Sequence, residues 1–502
     1  MSNFFRNLYK VILDWLDTRS AVYWLGGFLS ITYLFFFRLK AYLVAHHGNE
    51  IGAITDPFYR QAYDVAFFSF VVVVILFFLW SVLERGNKII LALGCLSIGI
   101  LAAYQLFYIS KDTVYGDLSA RQNLIIDPRY KYLRIENNEN TRQFKAPGRL
   151  SADFAVVYFS TQNNSPLEDA YTSNVNDPWG RYSNYPPIFH YLCSLTFCNL
   201  DYGPASLTHL LLQLGFFLAG FIFIFNSLKL TDTLLPNLIL VSFCLFLTPV
   251  GLAWFERGQF TLYVGLAYLC LIFGLLKQNR IFILLSAFFS FIKWTAFPFT
   301  VTLLAIYALS SANLKEFKQR LGSVFLYGSI ALILFIIFWS ASLLFLNGLI
   351  RFEQDFEPTG INLAYFLPVT IVKFLPLFLV ILGLLLYRKK GPVQVIPFYA
   401  GIAVLFTIYP THAYDYSLPA LLALIPFLLY WSKIPEGSIA GKKLTVYLYY
   451  IFLIAASFSI RLFVTEQIQT GAYLLVACFL IFVSSRALPK EPLPGLVKSA
   501  AA

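Results

Sequence analysis

Residues 324–346 read VFLYGSIALILFIIFWSASLLFL, 23 residues without one charged side chain. As a helix rising about 1.5 Å per residue, such a run reaches across a hydrocarbon core of about 30 Å. Comparable runs stand at Ala21–Phe37, Val65–Leu83, Ile89–Tyr108 and Leu207–Phe225. Over the whole chain of 502 residues, 59% are hydrophobic and 13% charged, more apolar surface than a soluble core can hide. The sequence therefore reads as an all-α polytopic membrane protein, because in lipid only helices and closed barrels satisfy every backbone polar group.

Basic residues orient the chain. With the N-terminus inside, 20 of the 37 Lys and Arg fall on inside segments, among them Arg85, Lys88, Lys277, Arg280, Lys315, Lys318, Arg320 and Arg388 to Lys390. The formal charge of +11 is this topological bias plus attraction to anionic membrane lipids, and with no aromatic-basic RNA-binding motif it does not point to nucleic acid. Residues 281–309, IFILLSAFFSFIKWTAFPFTVTLLAIYAL, have inside charges at both ends and carry Lys293 and Pro298. They are too long for one simple span and too short for two, which predicts a re-entrant helical hairpin below a polar cavity. The expected architecture is about 12 transmembrane helices plus this hairpin.

The resulting organisation is a cytoplasmic amphipathic segment over 1–20, three transmembrane helices over 21–110 and an extracytoplasmic loop region over 111–204. A core bundle over 205–431 follows, then two transmembrane helices and a cytoplasmic tail over 432–502. The N-terminal segment lacks the short apolar region and small-residue cleavage site of a signal peptide and is expected to lie flat at the interface. Of six cysteines, Cys193 and Cys198 alone sit near the outer surface; the companion ligands of a zinc site are absent there, and a disulfide between them stays open. No P-loop or dinucleotide glycine fingerprint is present, so no nucleotide cofactor or metal is expected and any energy must arrive with the substrate.

Polar residues concentrate on the outer half. Asp153 opens DFAVVYF; as a helix-start carboxylate it is an ordinary cap, and on such a helix Tyr158 lies on the neighbouring face. Tyr185 belongs to NYPP, a usual way to begin a helix. Glu256, Arg257 and Gln259 mark an outer helix junction that also reads as a solvated loop with an internal ion pair. Lys293, inside an apolar segment, needs a carboxylate, carbonyls or an anionic ligand. His412 and Asp415, in THAYDYSLPA, stand at an outer mouth between spans, where a histidine is also commonly structural.

The order DFAVVY, DAY, YPPIFHYL, ERGQFTLYVGL, SAFFSFIKWTAFPF and THAYDYSLPALL, over about residues 150–425, resembles the integral-membrane C-type (GT-C) glycosyltransferases. The closest likeness is to the polyprenyl-phosphate-mannose-dependent α-mannosyltransferases of glycosyltransferase family 87. The chain departs from that pattern with Glu-Arg-Gly-Gln where Asn-Gly-Gln is usual, two additional early spans and a long 111–150 segment. The resemblance implies a GT-C-like bundle in the cell membrane, with its active site on the extracytoplasmic face. A mannose or other sugar would pass from a polyprenyl-phosphate donor to a lipid or glycan acceptor hydroxyl in one inverting displacement. Asp153 would be the catalytic base, Lys293 and Arg257 would bind the donor phosphate, and Tyr158, Tyr185, Glu256, Gln259, His412 and Asp415 would bind substrate. The rival readings are a lipid-linked glycan ligase and a lipid or sugar transporter; the inside loops, short and merely basic, fit alternating access poorly.

Overall fold

In the computed structural model, the described residues run from 152 to 486, interrupted at 162–165, 173–181, 201, 247, 312, 355–358, 391–392, 410–411, 414, 436–438 and 458–465. The expected N-terminal helices and the 111–150 segment lie outside them.

The described chain is helical apart from one two-residue strand pairing. Short helices come first: α1 (Ala152–Ser160), α2 (Asp169–Thr172) and α3 (Pro187–Leu195), the last entered through proline in its first turn, where the missing N–H costs nothing. Then follow α4 (Tyr202–Ser227), α5 (Leu234–Phe246), α6 (Pro249–Arg257), α7 (Thr261–Lys277), α8 (Arg280–Ile292) and α9 (Phe297–Leu309). The remainder is α10 (Leu314–Ile337), α11 (Trp339–Gln354), α12 (Val369–Lys390), α13 (Ile396–Thr407), α14 (Ile425–Lys433), α15 (Ile439–Ser457) and α16 (Glu466–Arg486). Between them β1 (Thr359–Gly360) pairs in parallel with β2 (His412–Ala413), and a 3₁₀ stretch over Asp415–Leu424 leads into α14.

Burial sorts these helices into centre and periphery. Every side chain of α7 from Thr261 to Leu275 is buried, as is every side chain of α13, and a helix apolar all round belongs at the centre of a bundle. α7 packs against α4, α8 and the 3₁₀ stretch, while α13 lies along α16. There Gly401 matters: a Cβ on it would stand 2.9 Å from the Ala477 carbonyl oxygen, so the two backbones approach as only a small residue allows. On α10, by contrast, Tyr327 is the one buried side chain, and Leu332, Ile333, Ile336 and Ile337 are exposed. Such a face suits lipid rather than water.

Among the described residues, four helices are long and apolar enough to cross a membrane: Pro204–Ser227, Leu314–Ile337, Val369–Leu386 and Gln467–Ser485. Shorter apolar helices, such as Thr261–Lys277 and Ile396–Thr407, accompany them. The run at 324–346 does not form one span. Asn313 caps the helix by accepting the Glu316 N–H at 2.9 Å, so α10 begins ahead of the apolar run, in a charged turn. Phe338 then leaves the helical region with φ −110° and ψ 41°, and α11 starts afresh. The other irregular stretch, 281–309, forms two helices of 13 residues each, α8 and α9, separated at Lys293 and the 3₁₀ turn Trp294–Ala296.

Candidate active site

Asp153 lies in the first turn of α1, where a carboxylate suits the positive end of the helix dipole. Its side chain reaches the far end of α6. Arg257 Nε donates to Asp153 Oδ2 at 3.0 Å and Nη2 to Oδ1 at 3.4 Å. Gln259 Nε2 donates to the same Oδ2. Both donors come from one reversal: Arg257 ends α6, Gly258 adopts the left-handed φ of 61° that glycine enters without strain, and Gln259 N–H returns to the Trp254 carbonyl at 3.1 Å. The ion pair is half open to solvent, with Arg257 45% exposed and Asp153 16%, so it contributes little to stability and leaves the carboxylate within reach of a bound molecule.

Lys293 enters from the break between α8 and α9. Its backbone is extended, with φ −135° and ψ 105°, and its Nζ sits 4.4 Å from the ring centroid of Tyr185 and 5.8 Å from that of Phe260. Ring faces attract a cation, and the Asp153 carboxylate attracts it through space. Among the described side chains of this cluster there are thus two cations, Arg257 and Lys293, and one carboxylate. The local excess is one positive charge, an arrangement suited to an anion.

Tyr185 is fixed on three sides. Its ring centroid lies 4.2 Å from that of Phe260, its carbonyl accepts from Tyr171 Oη at 2.8 Å, and its N–H donates to Ser183 Oγ at 3.1 Å. Behind it is His190 of α3, whose Nδ1 is 2.7 Å from Ser160 Oγ and whose Nε2 is 2.7 Å from Ser183 Oγ. Ser160 spends its own proton on the Val157 carbonyl at 2.8 Å, so Nδ1 must carry hydrogen and Nε2 must accept from Ser183. Burial pushes this imidazole down to about 3, and it is neutral at physiological pH. The relay ties the end of α1 to the loop that carries Tyr185.

The fold thus brings together Asp153, Arg257, Gln259, Lys293 and Tyr185. Tyr158 is directed elsewhere: its hydroxyl donates to the Leu200 carbonyl at 2.9 Å and anchors α1 to the end of the 3₁₀ turn Phe197–Asn199. Glu256 lies in α6, but its side chain is outside the described residues, as are those of His412 and Asp415. Cys193 and Cys198 form a disulfide with their Cα atoms 5.0 Å apart. Among the described residues no group of His, Cys, Asp and Glu is placed to hold a metal. Sequence reading missed Ser160, Ser183, His190 and Phe260, because neither spacing nor composition marks residues that meet only through tertiary packing.

The chain matches no family model, no curated protein and no solved structure.

Proposed function

We propose that this protein is an integral-membrane glycosyltransferase that moves a sugar from a polyprenyl phosphate to an acceptor hydroxyl on the extracytoplasmic face. The observation that carries the reading is the convergence of Asp153, Arg257 and Lys293 from three separate parts of the chain. Asp153 takes the proton of the acceptor hydroxyl as its oxygen attacks the anomeric carbon. The bond from that carbon to the phosphate oxygen breaks with inversion, its electron pair leaving with the phosphate. Lys293 and Arg257 stabilise the charge that gathers there. A polyprenyl phosphate is already a good leaving group, so a second carboxylate acting as general acid is not required. Tyr185 and Gln259 line the site. The Cys193–Cys198 disulfide supports an oxidising, extracytoplasmic location for this face.

The test is transfer itself. The purified chain in lipid nanodiscs is incubated with radiolabelled polyprenyl-phosphate sugars and a membrane extract, and labelled product is followed. Wild type should transfer label, and Asp153→Asn should do so about 10² to 10⁴ times more slowly. Absence of transfer from every polyprenyl-phosphate sugar, with the protein folded, would refute the reading.

A further inference from the structure

Behind the carboxylate, in the middle of the bundle, lies a buried amide that the proposed chemistry does not use. Gln213 of α4 is fully buried. Its Nε2 donates to the backbone carbonyl of Gln259 at 2.7 Å and also lies 3.3 Å from His209 Nε2, while its Oε1 has no hydrogen-bond partner among the described residues. An amide buried with its Oε1 unmet has only part of its hydrogen-bonding capacity used, so its place in the core is explained by what its Nε2 holds. What the amide does achieve is local. Gln259 is gripped at both ends of its backbone, by its N–H to Trp254 and by its carbonyl from Gln213, and it is the residue whose side chain donates to Asp153.

We propose that Gln213 is a positioning residue: by holding the Gln259 carbonyl it aims the Gln259 amide at the Asp153 carboxylate. Gly258 makes such a brace necessary, because a residue with no side chain, in the left-handed region, cannot fix the direction of its neighbour. Without the brace Gln259 can turn away and Asp153 loses a donor. A carboxylate that loses a donor holds its proton more tightly, so the ionised base appears only at higher pH. The proposal rests on the reading of Asp153 as the base.

Two measurements on the full chain in nanodiscs decide it. Gln213→Met keeps length and bulk but removes the donors. In transfer from a radiolabelled polyprenyl-phosphate sugar, it should lower kcat roughly ten- to a hundredfold with donor KM unchanged, and move the acid limb of the pH profile to higher pH. A purely structural role would lower the yield of folded protein and leave that limb in place. Independently of activity, a thermal-unfolding cycle pairs Gln213→Met with Asp153→Asn. If Gln213 acts through Gln259 on Asp153, the loss of Tm from Gln213→Met shrinks by half or more once Asp153 is Asn. Additive Tm losses, or an unmoved acid limb in an active enzyme, overturn the proposal. Should wild type transfer no sugar, the functional reading fails while the unfolding cycle still decides the positioning. Gln213→Asn, one methylene shorter, is read by the same two criteria if Gln213→Met does not survive purification.

Discussion

Lys293 shows how one side chain can be expensive to place and useful once placed. An ammonium in an apolar segment must find compensation, and among the described residues Lys293 has two ring faces and the field of one carboxylate. That leaves its donors in a position to engage an anion. Lys293→Met should therefore weaken binding of tritiated polyprenyl phosphate to the nanodisc-bound protein roughly ten- to a hundredfold, the worth of a charged hydrogen bond, with Tm nearly unchanged. Unaltered binding would leave Lys293 as a structural partner of Tyr185 and Asp153. The need of this lysine for partners was legible in the sequence; its place above Tyr185 was not, because Tyr185 lies 108 positions earlier (293 − 185) on a different segment.

The short helices α1 and α3 act as a unit through His190. The imidazole links α1, the Ser183–Tyr185 loop and α3, and the link requires a neutral ring. Its sign with pH follows from the lowered value of about 3 against an ordinary 6.5. Below pH 6.5 the unfolded chain binds a proton that the folded chain refuses, so the folded state loses stability as pH falls from about 6.5 towards 3. At pH 5 the loss from this group is about 2 kcal/mol. Wild type should show a fall in Tm from pH 7 to pH 5 that is shallower in His190→Gln; equal slopes in the two proteins would refute a neutral buried His190. Nothing in YPPIFHYL distinguishes this histidine from an exposed one, since the serines that satisfy it stand 30 and 7 residues away.

At the scale of the molecule, the basic residues and the disulfide argue for one orientation. Tyr182, exposed beside the site loop, and Lys318, in the first turns of α10, stand on opposite sides in that arrangement. With an impermeant maleimide on intact cells, Tyr182→Cys should be labelled, and Lys318→Cys only after permeabilisation. The reverse pattern would place the cluster in the cytoplasm and remove the extracytoplasmic reaction. Hydropathy made the membrane helices readable, because each residue adds its own transfer energy whatever its neighbours in space. It misplaced the limits of the 324–346 span, since Asn313 and Phe338 set those limits by capping and backbone angle rather than by apolarity. Which polar side chains meet was left to the packing of α1 against α6 and of the α8–α9 break against the buried α7. Asp153 and Gln259 are 106 residues apart, and contact over that distance depends on how helices pack, a collective property that no local pattern records.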